Sequence, residues 1–113
     1  MSKNKPIFIT HNPLGDTVTC YSGPWYGHIV ASGKHKELSS EREKVKSTVE
    51  TPDKIFVSSE SSDRRVYFKP KSLNSSLYIK VVTMIVGSNQ EEVVTAFTTK
   101  KISGGIANEI YHK

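Results

Sequence analysis

The stretch Leu77-Tyr78-Ile79-Lys80-Val81-Val82-Thr83-Met84-Ile85-Val86 decides the fold class. Apart from Lys80 and Thr83 it is apolar at both parities, so an extended chain here has two faces to bury. A strand of that kind belongs in the middle of a sheet. Gly87-Ser88-Asn89-Gln90 then reads as a hairpin turn into a second strand, Val93 to Thr99. Upstream, Ile55-Phe56-Val57 and Arg64 to Lys69 supply two more. The serine-rich pieces Ser58 to Asp63 and Ser72 to Ser76 are short enough to be the loops between strands.

Before Ile55 the period changes. Ser40-Glu41-Arg42-Glu43 fits a helix-starting capping box, Val45 and Val49 form a narrow apolar stripe, and Thr51-Pro52-Asp53 ends the helix. An earlier short helix begins at Ser22-Gly23-Pro24, with Pro24 in its first turn. Trp25 and Ile29 lie one turn apart on it, and Gly33 is placed to end it. Ile7 to Tyr21 reads as a hairpin in which His11 to Asp16 provides the turn chemistry. The expectation is an α+β fold, with an N-terminal hairpin and two short helices packed on a four-stranded antiparallel sheet. Residues 1–113 fit a single domain with a core over about 6–103 and mobile termini, the C-terminal one from about Gly104.

Composition narrows the functional classes. No apolar run is long enough to span a bilayer, and Met1 to Ile9 lacks the apolar stretch of a secretory signal, so a soluble cytoplasmic protein without membrane contact is expected. The single cysteine, Cys20, excludes an intrachain disulfide and a multi-cysteine zinc site. It alternates with Val18 in a strand, which suits a small core residue. The net charge of +5 favours encounters with polyanions, provided that the charges converge on one surface.

Arg64 to Lys69 is the most informative strand. Alternation puts Val66 and Phe68 on one face and Arg65, Tyr67 and Lys69 on the other. Two cations flanking a phenol can bind a phosphate and stack or hydrogen-bond a nucleotide, as single-stranded RNA recognition requires; the same pattern also suits an ordinary solvated face. Among the histidines, His11 falls in a turn and His112 in the tail. His28 and His35 are seven residues apart, close to two helical turns, and Glu37 follows. Singly, His28 reads as a core-edge residue and His35 as a solvated one. The spacing of His28, His35 and Glu37 matches no compact zinc motif, and no metal or other cofactor is expected. Metal-free acid–base chemistry fits these residue types better. RNA carries its own nucleophile in the 2′-hydroxyl, and its cleavage needs a base, an acid and cations for the charge of the transition state.

The motifs also come in a familiar order. Trp25-Tyr26-Gly27-His28-Ile29, His35-Lys36-Glu37, Pro52-Asp53-Lys54-Ile55, Arg65-Val66-Tyr67-Phe68-Lys69 and Val94-Thr95-Ala96-Phe97 resemble the phage-type branch of the barnase–EndoU–colicin–RelE-like (BECR) nuclease fold. The resemblance runs from about Trp25 to Thr99 and lies in order and spacing rather than in any one motif. It implies a BECR-like ribonuclease fold in which His28, His35, Tyr67, Lys69 and Thr95 line one cleft as catalytic residues, with Arg65, Glu37 and Trp25 on the substrate. It also implies metal-free cutting of RNA by a toxin or a phage or plasmid accessory protein, with a cognate inhibitor protein as a second partner. Two departures stand out. The usual "HPE" reads His35-Lys36-Glu37, and strict alternation sets Thr95 with Val93 and Phe97 on the apolar face. Thr95 reaches the cleft only at a bulge; otherwise Thr98 or Lys100 is the better polar candidate.

Three functions therefore stand at this point. The first is a metal-independent endoribonuclease that uses 2′-hydroxyl transesterification with a histidine acid–base pair. The second is a non-catalytic RNA-binding module on the same basic sheet face, and the third is a partner-binding domain whose charge serves solubility.

Overall fold

The computed structural model describes residues 5–25, 42–72 and 76–113. They form one mixed sheet of seven strands. In chain order these are β1 (Pro6–His11), β2 (Thr17–Tyr21), β3 (Lys54–Ser58), β4 (Arg64–Pro70), β5 (Tyr78–Gly87), β6 (Gln90–Thr99) and β7 (Ile106–His112). Their order across the sheet is β1-β2-β6-β5-β4-β3-β7. All neighbours run antiparallel except β2 and β6, which pair in parallel through Thr17–Gln90, Val18–Glu91 and Thr19–Glu92. A three-residue helical turn, α1 (Ser22–Pro24), follows β2, and α2 (Arg42–Glu50) precedes β3.

The expected α+β arrangement of two helices on a four-stranded antiparallel sheet, and with it the BECR-like layout, is therefore corrected to a seven-stranded mixed sheet with one helix longer than a single turn among the described residues. The difference has two physical sources. The N-terminal hairpin is real, but it is part of the sheet, because the outer edge of β6 accepts β2. The chain beyond Gly104, expected to be mobile, instead forms β7 against β3. The helix expected over Trp25 to Gly33 lies mostly outside the described residues.

The central strand is where its composition demands. β5 lies between β4 and β6 and contributes to both faces of the sheet. On one face Ile79 and Val81 join Phe8, Val18, Cys20, Trp25, Ile55, Tyr67, Val93 and Ala96 in the main core, closed by Val45 and Val49 of α2. On the other face Val82 packs with Phe56, Val66, Phe68, Ile102 and Ile106 in a second, smaller cluster. Val45 and Val49 are fully buried, as their stripe requires, and each full valine burial contributes roughly 1.5–3 kcal/mol. Thr10 of β1 donates a hydrogen bond to Glu50, tying the edge hairpin to the end of α2. Among the described residues no helix is long and apolar enough to cross a membrane.

Cys20 faces the main core opposite Phe8, and burial pushes its thiol up to about 12. At neutral pH it is a thiol and not a nucleophilic thiolate. The folded protein should resist iodoacetamide under conditions that fully label the chain in denaturant. Rapid labelling of the folded protein would show that Cys20 does not belong to the core.

Candidate functional site

Direct pairing across β4, β5 and β6 sets the rows in which the candidate residues stand. Arg65 pairs with Thr83 and Thr83 with Val93; Tyr67 pairs with Val81 and Val81 with Ala96; Lys69 pairs with Ile79 and Ile79 with Thr98. Arg65, Tyr67 and Lys69 thus share the helix-bearing face, as alternation requires, with Val66 and Phe68 on the other. Opposite Val82 and Thr83, β6 carries one extra residue, Val94, between Thr95 and Val93. This bulge keeps Val93 and Ala96 on the core face and turns Thr95, with Phe97, to the opposite one. Thr95 therefore shares no cleft with Tyr67 and Lys69, whereas Thr98 ends the very row that Lys69 begins. His28, His35 and Glu37 lie outside the described residues. Trp25, which leads into their segment, is anchored in the main core at 4% exposure.

Arg65 and Tyr67 turn out to be committed within the fold. The turn between β1 and β2 brings Asn12 and Asp16 over this face, and the parallel β2–β6 pairing sets Glu91 beside them. Glu91 is 1% exposed yet receives four donors. Tyr67 Oη and Thr83 Oγ1 donate to its Oε1 at 2.6 and 2.7 Å, while Asn12 Nδ2 at 3.0 Å and Arg65 donate to its Oε2. The same Arg65 nitrogen also donates to Asp16. Asn12 completes the network by donating to Tyr67 Oη at 2.8 Å and accepting the backbone N–H groups of Leu14 and Asp16. Burial drives the Tyr67 phenol far above its ordinary range, with Glu91 adding to the shift. Burial and the neighbouring Asp16 likewise raise Glu91 against its donors. Burial also pushes Asp16 upward, but its hydrogen bonds with Glu91 and Arg65 outweigh that, and its carboxyl sits below the usual range. The phenol expected to meet a nucleotide is closed off, and the guanidinium is neutralised by two carboxylates.

Lys69 behaves differently. Its Nζ donates to Ser47 Oγ and Thr51 Oγ1 of the α2 region, each at 2.6 Å. Both of these partners are neutral, so among the described residues its charge is held in place without an ion pair. Around it Lys71, Lys113, Asp53, Ser72, Ser76 and Tyr78 line an open groove of about 490 Å³. An adjoining depression shares Lys69, Pro70 and Lys71 with it and adds Lys44 of α2. Asp53 is the only acid among the described residues lining either one. Composition could not reveal this convergence, because the four lysines come from α2, the end of β4 and the end of the chain. Lys71 follows Pro70 out of the sheet, and the hydrogen bond from its N–H to Leu77 O (2.9 Å) closes the connection to β5.

Among the described residues, fold and site together define a mixed β-sheet protein with one helix longer than a single turn and a lysine-lined groove at the C-terminal end of β4. No protein-family model, curated protein or solved structure matches the chain.

Proposed function

We propose that the protein binds single-stranded RNA along the groove lined by Lys69, Lys71 and Lys113 and the adjoining depression that adds Lys44. The observation that carries this reading is the convergence of four lysines around two adjoining concavities, with Asp53 the one acid among the described residues that line them. Lysines spaced along a groove neutralise successive phosphates and release their counterions. Tyr78 lines the groove while packing, half-buried, against the Phe56–Val66–Phe68 cluster, and the part of its ring toward the groove offers a surface for base stacking, which is sequence-tolerant because every base has a π-face. Of the basic sheet face read from sequence, only Lys69 contributes; Arg65 and Tyr67 serve the fold.

The test is fluorescence anisotropy with a labelled single-stranded RNA oligonucleotide across a salt series. Four lysine–phosphate contacts predict a slope of log K against log salt of roughly −3. Lys71→Ala should weaken binding and flatten the slope by about 0.7, while Tyr78→Ala should weaken binding without changing the slope. Binding that is indifferent to salt, or to both substitutions, rejects the reading.

A cleaving version of the same protein rests on the residue types His28 and His35, which lie outside the described residues. The expected result is fragments ending in 2′,3′-cyclic phosphate when protein and RNA are incubated in EDTA. Their yield should fall by more than about two orders of magnitude in His28→Ala or His35→Ala. Intact RNA under these conditions leaves the binding function alone.

A further inference from the structure

The sheet has a second concave surface, on the face away from α2, that RNA binding does not use. Its floor is a row across three strands: Val66 of β4 pairs with Val82 of β5, and Val82 with Thr95 of β6. The Val94 bulge that removes Thr95 from the lysine face delivers it here, together with Phe97. One wall is the segment Ser103-Gly104-Gly105. Its two glycines take φ of +82° and +68°, which side-chain-bearing residues rarely adopt. Lys80 holds this wall over the sheet by donating from Nζ to Gly104 O at 2.8 Å and to Ser103 O at 3.3 Å. Ser59 N–H donates to Gly105 O at 2.8 Å from the other side. The space enclosed is about 380 Å³, within the range of small-molecule sites.

The charges around this groove are placed unevenly. Lys80 lies 5.3 Å from the ring centroid of Phe97 and 5.7 Å from that of Phe68, and an ammonium has a third N–H beyond the two used on carbonyls. Arg64, at the start of β4, lines the groove and forms no ion pair with any described residue. Glu60 is the only acid among the described residues of the lining. An apolar floor with a hydroxyl beside it and a half-buried arginine in its lining fits one kind of occupant. We infer that the groove formed by Val66, Val82, Thr95, Phe97 and Arg64 binds a small amphipathic carboxylate, its apolar body on the valines and Phe97 and its head on Arg64. The guanidinium fork matches a carboxylate in geometry as well as charge.

The probe is 3-phenylpropionate, titrated into isotope-labelled protein and followed by amide chemical shifts. Two controls each lack one half of it: acetate has no body, and 3-phenylpropanol has no charge. Saturable shifts are expected at Val66, Val82, Thr95, Phe97, Gly104 and Gly105, with each control at least about tenfold weaker, since a group left unpaired or a body left out forfeits most of so small a ligand's affinity. Arg64→Gln, a rim substitution, should weaken the acid about tenfold and leave the alcohol unchanged. Val82→Phe should abolish binding by filling the floor; should that variant fail to fold, the Arg64→Gln comparison decides alone. Absence of saturation, equal affinity for acid and alcohol, indifference to Arg64→Gln, or shifts centred on Lys69, Lys71 and Lys113 would each overturn the assignment.

Discussion

Arg65→Met should cost about 3–5 kcal/mol of folding stability at neutral pH, because it removes the only cation between two buried carboxylates. Folded domains are stable by about 5–15 kcal/mol in all, so this variant should melt far below the wild type or fail to accumulate. The methionine fills much of the same volume, which assigns the loss to charge and not to a cavity. Arg64→Met is the matched control: it is one residue away, on the other face, and unpaired among the described residues, so its effect should stay within about 0.5 kcal/mol. Denaturant unfolding measures both. Equal, small losses in the two variants would mean that the Asp16–Arg65–Glu91 network contributes nothing.

Acid should separate the two carboxylates. Asp16 titrates below its ordinary 3.8 in the folded state, so its contribution is present above that value and disappears as the pH falls through the folded pKa. Glu91 titrates above its ordinary 4.5, so its ionisation works against folding, and stability is lost as the pH rises through its folded pKa. Asp16→Asn should therefore be more damaging at neutral pH than in mild acid. Removing the ionisable group at position 91 by Glu91→Gln should show the opposite trend. The Arg65→Met penalty should also shrink in acid, because protonation discharges the carboxylates left without their partner.

That network shows where sequence reading stops. The alternation of β4 was legible because a strand's period is two, and Arg65, Tyr67 and Lys69 do share a face. What the alternation could not say is which way that face looks. It looks toward α2 and the main core, so a pattern that suited nucleotide binding became a buried ion cluster at its Arg65 end. The missed partners had a weak signal: Glu91 stands in phase with Val93, a carboxylate at a core-facing position. Asp16 had none, because only the parallel β2–β6 contact, across more than seventy residues of chain, brings it to Arg65. Thr95 stays with Phe97, as alternation sets it, but is parted from Val93 for a local reason. A one-residue bulge reverses the parity of everything beyond it, and nothing in Val93-Val94-Thr95-Ala96 announces one. Legible throughout were the central strand, the Ser88-Asn89 turn with Asn89 at φ +58°, and the buried face of α2.

The same limit governs the chain's last strand and gives the second large effect. Ile106 to His112 alternates poorly, with five of its seven residues exposed, and read by period alone it is a tail. The pairing is nonetheless extensive: Lys54–His112, Ile55–Tyr111, Phe56–Glu109 and Ser58–Ile106 face one another across β3 and β7, with bulges between them. Lys54 Nζ meets Glu109 Oε1 at 2.9 Å, and Lys113 N–H donates to Asp53 O at 2.8 Å. Tyr111 packs on the main core and Ile106 on the second cluster, so one strand closes both faces at this edge. Ending the chain after Gly105 strips cover from Ile55 and Phe56 and should cost about 2–5 kcal/mol, the range for losing large buried side chains. A fall in melting temperature of about 10 °C or more should follow. It would also leave Ile55-Phe56-Val57 as an unprotected edge, so the shortened protein should aggregate at concentrations where the full chain stays dispersed. Ile110→Ser, at an exposed position of the same strand, should leave the melting temperature nearly unchanged and separate the loss of a strand from the loss of surface apolarity. A shortened chain that melts with the wild type would return this segment to the status of a tail. The lysine groove would then lose the footing of Lys113, and RNA binding should be retested on the shortened protein before that residue is counted among its contacts.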